Sequence, residues 1–252
     1  MNYRRIAFAA VALLCPASLS TVAGAQEPRA VIELFTSQGC SSCPPADALL
    51  GEMSRDPSLI ALSLPVDYWD YLGWKDTLAL HGHTNRERAY AEARGDREVY
   101  TPQVVINGVA HALGSDKTAI EQAIAETRKS ATPLALPVTM AIADGAVTVT
   151  VPSAKDGHPS GDVWLCPITS VKPVTIRRGE NSGRTLTYYN VVRGWVKLGT
   201  WTGEAVTFRV PLSDLQSDEI SLKEIDRLAV LVQSGIAAKP GSMLGAATVG
   251  LH

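Results

Sequence analysis

The sequence has few cysteines, no block of like charge and no long apolar run beyond its first residues. Four cysteines in 252 residues exclude a small scaffold stapled by disulfides. A formal net charge of −2 disfavours a nucleic-acid binder and a polybasic protein of the membrane surface. No Ser-His-Asp set, phosphate loop or nucleotide fingerprint stands at a meaningful spacing. With 46% hydrophobic and 19% charged residues, the chain is globular and long enough for one large domain or two ordinary ones.

The N-terminus has the pattern of a secretory signal peptide. Two arginines precede an apolar run over residues 6–14, and a small-x-small triplet ends at Ala25. The run is too short to span a bilayer, which takes about 20 apolar residues, and no later stretch has the length and apolarity of a membrane helix. We therefore predict that residues 1–25 are a signal peptide and that the mature protein is exported, periplasmic or secreted, with no integral membrane segment.

Residues 26–130 hold strand and helix patterns in turn. Helical spacing predicts one helix that ends near Met53 and a second that is capped by Ser115. An insertion over residues 67–97 interrupts this region and is helical in its second half. Apolar, β-branched runs predict strands over residues 30–35, 59–66, 104–106 and 109–113, the last two joined by an Asn-Gly turn.

Residues 131–252 show almost no helical periodicity. A Pro-containing linker is predicted over residues 130–137. Two alternating runs around Asp144-Gly145 then predict a hairpin. Further strands are predicted over residues 163–169, 174–178, 185–198, 206–210, 228–233 and 246–250. Strands at this spacing predict a β-rich, sandwich-like C-terminal domain.

Cys40 and Cys43 form a Cys-x-x-Cys motif between a predicted strand and a predicted helix. This order places Cys40 at a helix N-terminus, where free N–H groups and the helix dipole stabilise a thiolate. Cys43 follows one turn later on the same face, within reach of a disulfide. Because the thiolate is the attacking species in exchange, the motif predicts that Cys40 reacts and Cys43 resolves the mixed disulfide.

Three other interpretations of this pair remain. Half of a zinc site would need a second Cys-x-x-Cys or a His-x₃₋₅-His, and the sequence has neither. A static disulfide is compatible with an exported protein, although so small a loop constrains the unfolded chain little. A copper-holding thiol pair would need a histidine as third ligand.

A second segment, YTPQVVING at residues 100–108, is a loop, a proline, a strand and a turn. With VIELFTSQGCSSCPP it resembles the thioredoxin superfamily. The resemblance implies an α/β thioredoxin-like fold for the N-terminal domain. It also implies that Pro102 is a cis-proline facing the cysteines, and that the Thr101 backbone binds an extended substrate. Together with VDYWDYLGWKD and YYNVVRGWVKLGTW, these motifs resemble the secreted family catalogued as domain of unknown function 1223, for which no activity is implied.

The sequence also departs from the thioredoxin pattern. Gly39 replaces the tryptophan that precedes the first cysteine, and Leu34 occupies the usual position of a buried carboxylate. We expect the adjacent Glu33 to pair elsewhere, with a role as proton acceptor as the alternative, and leave it out of the predicted site.

Several other residues are assigned structural roles at this stage. We expect His81 and His83 to be surface loop residues, His111 to be solvated and Cys166 to be a buried, inert thiol. An aromatic and acidic cluster in the insertion is expected to pack onto the domain, with a lip of the substrate groove as the alternative: Asp67, Trp69, Asp70 and Trp74. A contact between the domains is expected from Asn190, Arg193 and Trp195.

These patterns predict an exported thiol–disulfide oxidoreductase with no cofactor and no metal site. Cys40 and Cys43 carry the reaction, Thr101 and Pro102 bind the substrate, and the partner is a cysteine-containing protein or a small thiol or disulfide. The alternative is a non-catalytic binding module whose C-terminal domain recognises a partner. Its cysteine pair is then a structural disulfide or a copper-holding site.

Overall fold

The computed structural model describes residues 28–129, 134–154, 159–216 and 220–251. It is a mixed α/β fold with one large sheet, one small sheet and three α-helices in the described residues. The helices are α1 (Pro44–Met53), α2 (His81–Arg94) and α3 (Lys117–Thr127). The strands are β1 (Ala30–Thr36), β2 (Leu59–Pro65), β3 (Gln103–Ile106), β4 (Ala110–Leu113), β5 (Thr139–Ala143), β6 (Ala146–Val151), β7 (Gly161–Thr175), β8 (Thr185–Val192), β9 (Val196–Trp201), β10 (Val206–Pro211), β11 (Arg227–Ile236) and β12 (Lys239–Gly250).

The large sheet has the strand order β12-β11-β7-β8-β2-β1-β3-β4, and β9 pairs with β7 beside this path. β1 runs parallel to β2 and antiparallel to β3. β2 meets β8 in parallel at Ser63 and Val191. The sheet therefore continues from the first 130 residues into the later strands, without a break between the two predicted domains.

Both faces of β1 are buried, which explains its continuous apolar run. Ile32 and Leu34 point into a core with α1 and α3. Val31 and Phe35 point to the opposite face, where they pack with Tyr90 of α2 and with β7, β11 and β12. Residues before and after position 130 thus share one core on that face.

The small sheet, β10-β6-β5, covers another part of the large sheet. Val147 and Val149 of β6 share a buried cluster with Leu165 of β7 and Val230 of β11. The predicted hairpin around Asp144 and Gly145 is confirmed as β5 and β6.

Three predicted details of local structure are wrong. The N-cap of α3 is Asp116, whose side chain accepts a hydrogen bond from the Ala119 N–H over 2.9 Å, and not Ser115. Residues 163–178 contain a single strand, β7, whose long pairing with β8 continues through Pro173. Residues 185–198 instead contain two strands, β8 and β9, separated at residues 193–195.

The predicted linker is partly packed. Residues 130–133 lie outside the described residues. Leu134 and Leu136 are buried, and their N–H groups donate to carbonyls of Met243 and Leu244 in β12. This segment is held against the large sheet because its leucines bury apolar surface there.

Candidate functional site

Cys40 and Cys43 lie in the loop between β1 and α1 and form a disulfide, with their Cα atoms 5.4 Å apart. Cys43 is the N-cap residue of α1. Pro44 takes the first helical position, where the missing N–H leaves no helical hydrogen bond unmade. The two cysteines are only 1% and 0% exposed, so the disulfide is enclosed by protein.

Thr101 and Pro102 face this disulfide because β3 is the neighbour of β1. Phe35, near the end of β1, is opposite Gln103 at the start of β3. The Thr101–Pro102 peptide bond is cis, as expected from the resemblance. The Thr101 carbonyl oxygen lies 3.7 Å from the Cys40 sulfur. The fold therefore brings all four predicted site residues together.

Two tryptophans of the insertion flank the cysteine loop. The Trp69 indole N–H donates to the Thr101 hydroxyl over 2.8 Å. The Trp74 indole N–H donates to the Gln38 side-chain oxygen over 2.8 Å. A Cβ placed on Gly39 would lie 3.0 Å from the Trp69 Cβ, so a glycine here allows the close approach. Trp69 and Trp74 pack onto the domain as expected, and together they form one wall of the disulfide site.

The tip of the β7–β8 hairpin, residues 176–184, covers the cysteine loop from the other side; we call it the cap. The Asn181 side-chain N–H₂ donates to the carbonyls of Gln38, over 3.0 Å, and Cys40, over 2.8 Å. The Ser41 N–H donates to the Glu180 carboxylate over 3.1 Å. The later, β-rich part of the chain thus contributes directly to this site.

Two buried carboxyl groups lie behind the cysteine loop. Asp47, one turn after Cys43 in α1, accepts a hydrogen bond from the Thr36 hydroxyl over 2.8 Å. Its other oxygen has no hydrogen-bond partner among the described residues. Burial raises the pKa of Asp47 to about 8. Burial also raises the pKa of Asp76 to about 6, although its carboxylate accepts hydrogen bonds from backbone N–H groups, including that of Gln38.

Glu33 pairs elsewhere, as expected. It is fully buried, and it accepts hydrogen bonds from the Arg86 guanidinium over 2.6 Å and from the Tyr90 hydroxyl. Arg86 also donates to the Gln233 side chain over 2.8 Å. These contacts use the polar groups of Glu33 in a network that joins β1, α2 and β11.

A cleft of about 600 Å³ runs between α1 and β8. It begins at Pro44, next to the disulfide, and extends along the helix as far as Arg55. Asp47 and Arg184 are among the residues that line it. The site therefore has an open groove beside an enclosed disulfide.

Comparison with known proteins assigns this chain to a family but not to an activity. The profile of a family described as "Protein of unknown function (DUF1223)" matches residues 31–233. This match covers more than half of the chain. The chain belongs to the DUF1223 family.

Two solved structures are similar to this DUF1223 protein. The first is a crystal structure of a protein from Agrobacterium tumefaciens, with 32% sequence identity and a TM-score of 0.77; the match covers 89% of this chain and 95% of that one. The second is HBP35 of Porphyromonas gingivalis, with 15% identity and a TM-score of 0.58, covering 90% of this chain and 76% of that one. The second likeness concerns the fold alone. No curated protein is a significant match to the chain.

The three histidines among the described residues of the DUF1223 protein make contacts away from the disulfide. His83 is fully buried in α2, and its Nδ1 lies 2.9 Å from the Pro65 carbonyl oxygen. The prediction of a surface loop is wrong for His83, because this histidine packs against Trp195 on the covered face of α2. His81 is exposed at the start of the same helix and contacts Asp67 over 2.8 Å. His111 contacts Tyr100 over 3.1 Å, and Asp96.

Two of the three predicted contacts between the two parts of the chain occur. The Asn190 side chain donates to the Ala61 carbonyl over 2.9 Å, across the junction of β8 and β2. The Trp195 ring lies under the Arg86 guanidinium at 4.3 Å. Arg193 instead pairs with Glu224, at 3.6 Å, within the later part. Cys166 is a free, buried cysteine, and burial raises the pKa of its thiol.

Sequence reasoning missed three residues of the site. Asp47 had a local signal, because the i,i+4 spacing after Cys43 places it on the same side of a helix. Glu180 and Asn181 had none, since they lie about 140 positions away from the cysteines. In the described parts of the chain, no group of three or more His, Cys, Asp or Glu side chains is arranged to hold a metal ion. Among the same residues, no helix combines the length and the apolarity needed to cross a membrane.

Proposed function

We propose that this DUF1223 protein is an exported thiol–disulfide oxidoreductase in which residues 26–130 form a thioredoxin-like unit. The observation that carries the proposal is the 3.7 Å approach of the Cys40 sulfur to the Thr101 carbonyl, beside a cis-proline. The order β1, α1, β2, insertion, β3, β4 and α3 supports the same proposal. Export rests on the sequence pattern of residues 1–25, which lie outside the described residues.

In the reducing direction, the Cys40 thiolate attacks a sulfur of the substrate disulfide and displaces one substrate thiolate. Cys43 then loses its proton, attacks the Cys40 sulfur and releases the second substrate thiol. The Cys40–Cys43 disulfide forms, and two electrons pass to the substrate. In the oxidising direction the same steps run in reverse. Thr101 and Pro102 hold the substrate backbone or sulfur against Cys40 in both cases.

The helix N-terminus supports a reactive Cys40. Cys43 begins α1, so the positive end of the helix dipole lies next to the cysteine loop. The first two helical positions are prolines, and the N–H groups of Cys43 and Ala46 already donate to backbone carbonyls, so it is the dipole that favours a thiolate at Cys40 in the reduced protein.

We assign Asp47 as the group that exchanges a proton with Cys43. The two residues are one helical turn apart, and a buried carboxyl with a raised pKa titrates near the working pH. As a carboxylate it accepts the Cys43 proton when Cys43 attacks, and it returns that proton when the disulfide opens.

A redox titration of the purified mature protein tests the proposal. The protein is equilibrated in graded thiol–disulfide buffers, and free thiols are trapped and mapped by mass spectrometry. We expect Cys40 and Cys43 to change state between about −270 and −120 mV, the range of working exchange catalysts. Cys40→Ser abolishes exchange, whereas Cys166→Ser leaves it unchanged. A Cys40→Ser variant with full exchange activity would exclude the proposal.

A structural disulfide is the second candidate, and the low exposure of both cysteines favours it. In that case the protein is a binding module, and the search for its partner moves to the later strands. A midpoint below about −300 mV in the same titration, with no exchange activity, selects this candidate.

A further inference from the structure

The cap, residues 176–184, is joined to the cysteine loop through one fully buried amide. Asn181 is 0% exposed, and its N–H₂ group spans the carbonyls of Gln38 and Cys40. The Arg184 guanidinium donates to the side-chain oxygen of Asn181 over 2.8 Å and so fixes the orientation of the amide. Both polar ends of one side chain are therefore used to hold the two loops together.

Two further contacts close the same junction. The Glu180 carboxylate accepts the Ser41 N–H, which lies between the two cysteines. Hydrogen bonds from the Ser41 hydroxyl and from its N–H lower the pKa of Glu180. A Cβ on Gly179 would lie 3.4 Å from the Trp74 Cβ, so the base of the cap approaches the insertion closely. The cysteine loop is thus held between the cap and the two tryptophans.

This enclosure conflicts with disulfide exchange. An attacking sulfur or phosphorus atom must approach a disulfide sulfur, and the rate depends on that access. At 1% and 0% exposure, neither cysteine offers such a path while the cap is closed. The insertion tryptophans are tied to Thr101 and Gln38, whereas the cap is a hairpin tip with exposed residues at Ser182 and Gly183.

We propose that Asn181 is a positioning residue of the disulfide site, which holds the cap over Cys40 until a substrate is admitted. The proposal deepens the proposed redox function, but it requires only that the disulfide is reducible, not that the protein is a catalyst. It assigns a role to the β7–β8 hairpin: control of access to Cys40.

The test is the rate at which a water-soluble phosphine reduces the disulfide of the folded protein. The phosphine attacks one sulfur, the S–S bond breaks, and water hydrolyses the adduct to yield two thiols and one phosphine oxide. Aliquots are alkylated and analysed by mass spectrometry over a series of phosphine concentrations. For the wild type we expect the rate to reach a plateau at high phosphine, because cap opening then limits reduction.

Asn181→Ala removes the two hydrogen bonds that this amide donates to the carbonyls of Gln38 and Cys40. We expect at least a tenfold faster reduction and no plateau over the same concentrations. The matched control is Asn190→Ala, which removes another buried asparagine of this hairpin, hydrogen-bonded to the Ala61 carbonyl and remote from the cysteines. It destabilises the fold without freeing the cap, and we expect the wild-type plateau rate.

Arg184→Ala is the milder variant if Asn181→Ala does not fold, because it removes only the group that orients the amide. We expect a smaller increase in the same direction. A wild-type rate that stays proportional to phosphine and equals that of Asn181→Ala overturns the proposal. Equal acceleration by Asn181→Ala and Asn190→Ala also overturns it, since reduction then follows general unfolding. Fast reduction of Asn181→Ala without catalysed exchange contradicts the proposed function alone.

Discussion

Asp47 lies one turn after Cys43 in α1, and its backbone N–H donates to the Cys43 carbonyl over 3.1 Å. One oxygen of this buried carboxyl group has no hydrogen-bond partner among the described residues. The position next to the cysteine loop therefore holds a group that makes stability depend on pH.

Asp47→Asn is expected to stabilise the protein at pH 8. In the unfolded chain this carboxyl has a pKa of about 3.8, whereas burial raises the folded value to about 8. The folded state therefore keeps the proton, and the stability from this group is lost as the pH rises from about 4 to about 8. The variant removes that loss.

Urea unfolding at pH 4 and pH 8 measures this effect. We expect a gain of at least about 1 kcal/mol at pH 8 and little change at pH 4, since each unit of pKa shift corresponds to about 1.4 kcal/mol. Asp116→Asn is the control, because Asp116 is an exposed N-cap that asparagine replaces well. The same loss of stability with pH in both Asp47→Asn and wild type would contradict the assignment.

Arg86→Met is expected to cost about 3–5 kcal/mol of unfolding free energy. Glu33 is fully buried, and without Arg86 it holds an uncompensated charge in the core. Adding Glu33→Gln to this variant removes the charge and should recover much of the loss. Lys129→Ala, at an exposed pair with Glu126, is the control and should change stability by less than about 1 kcal/mol. An Arg86→Met effect as small as the control's would show that the network contributes little.

Cys166 is expected to be unreactive in the folded protein. Its side chain is fully buried, and burial raises the pKa of the thiol, so the thiolate that reacts with iodoacetamide is scarce. Mass spectrometry after treatment at pH 8 should find Cys166 unmodified in native protein and modified in guanidinium. Labelling in the native protein at the rate found in guanidinium would show that this core opens freely.

His83 is expected to reduce stability at acidic pH. Burial lowers its folded pKa to about 4, below the ordinary value of 6.5. The stability that the neutral His83 ring contributes is fully present above about pH 6.5. It is lost as the pH falls towards 4, because the unfolded chain takes up the proton first.

The measurement for His83 is the ¹H–¹⁵N NMR titration of the histidine rings. We expect the His83 ring to stay neutral at pH 5. A His83 ring that is protonated at pH 5 in the folded protein would mean that the ring is not enclosed in solution.

Local patterns predicted much of this protein. Three signals between near neighbours are the apolar, β-branched run of β1, the proline at the start of α1 and the Asp144-Gly145 turn. These local features follow from steric preferences and periodicity, which act within a few residues. The Cys-x-x-Cys spacing indicated Cys40 and Cys43, and the resemblance to a known superfamily, not a local pattern, indicated Thr101 and Pro102, which the fold brings next to them.

Tertiary structure alone decided what surrounds those residues. No sequence periodicity relates Asn181 to Cys40 or Arg86 to Glu33, because each pair comes into contact only when the strands pair in the sheet. The pairing of β8 with β2 extends the sheet to strands beyond residue 130 and places the cap against the cysteine loop. The sequence by itself determined the spacing of the cysteine pair. The folded chain determined that the pair is enclosed, since burial and long-range hydrogen bonds depend on packing between distant segments.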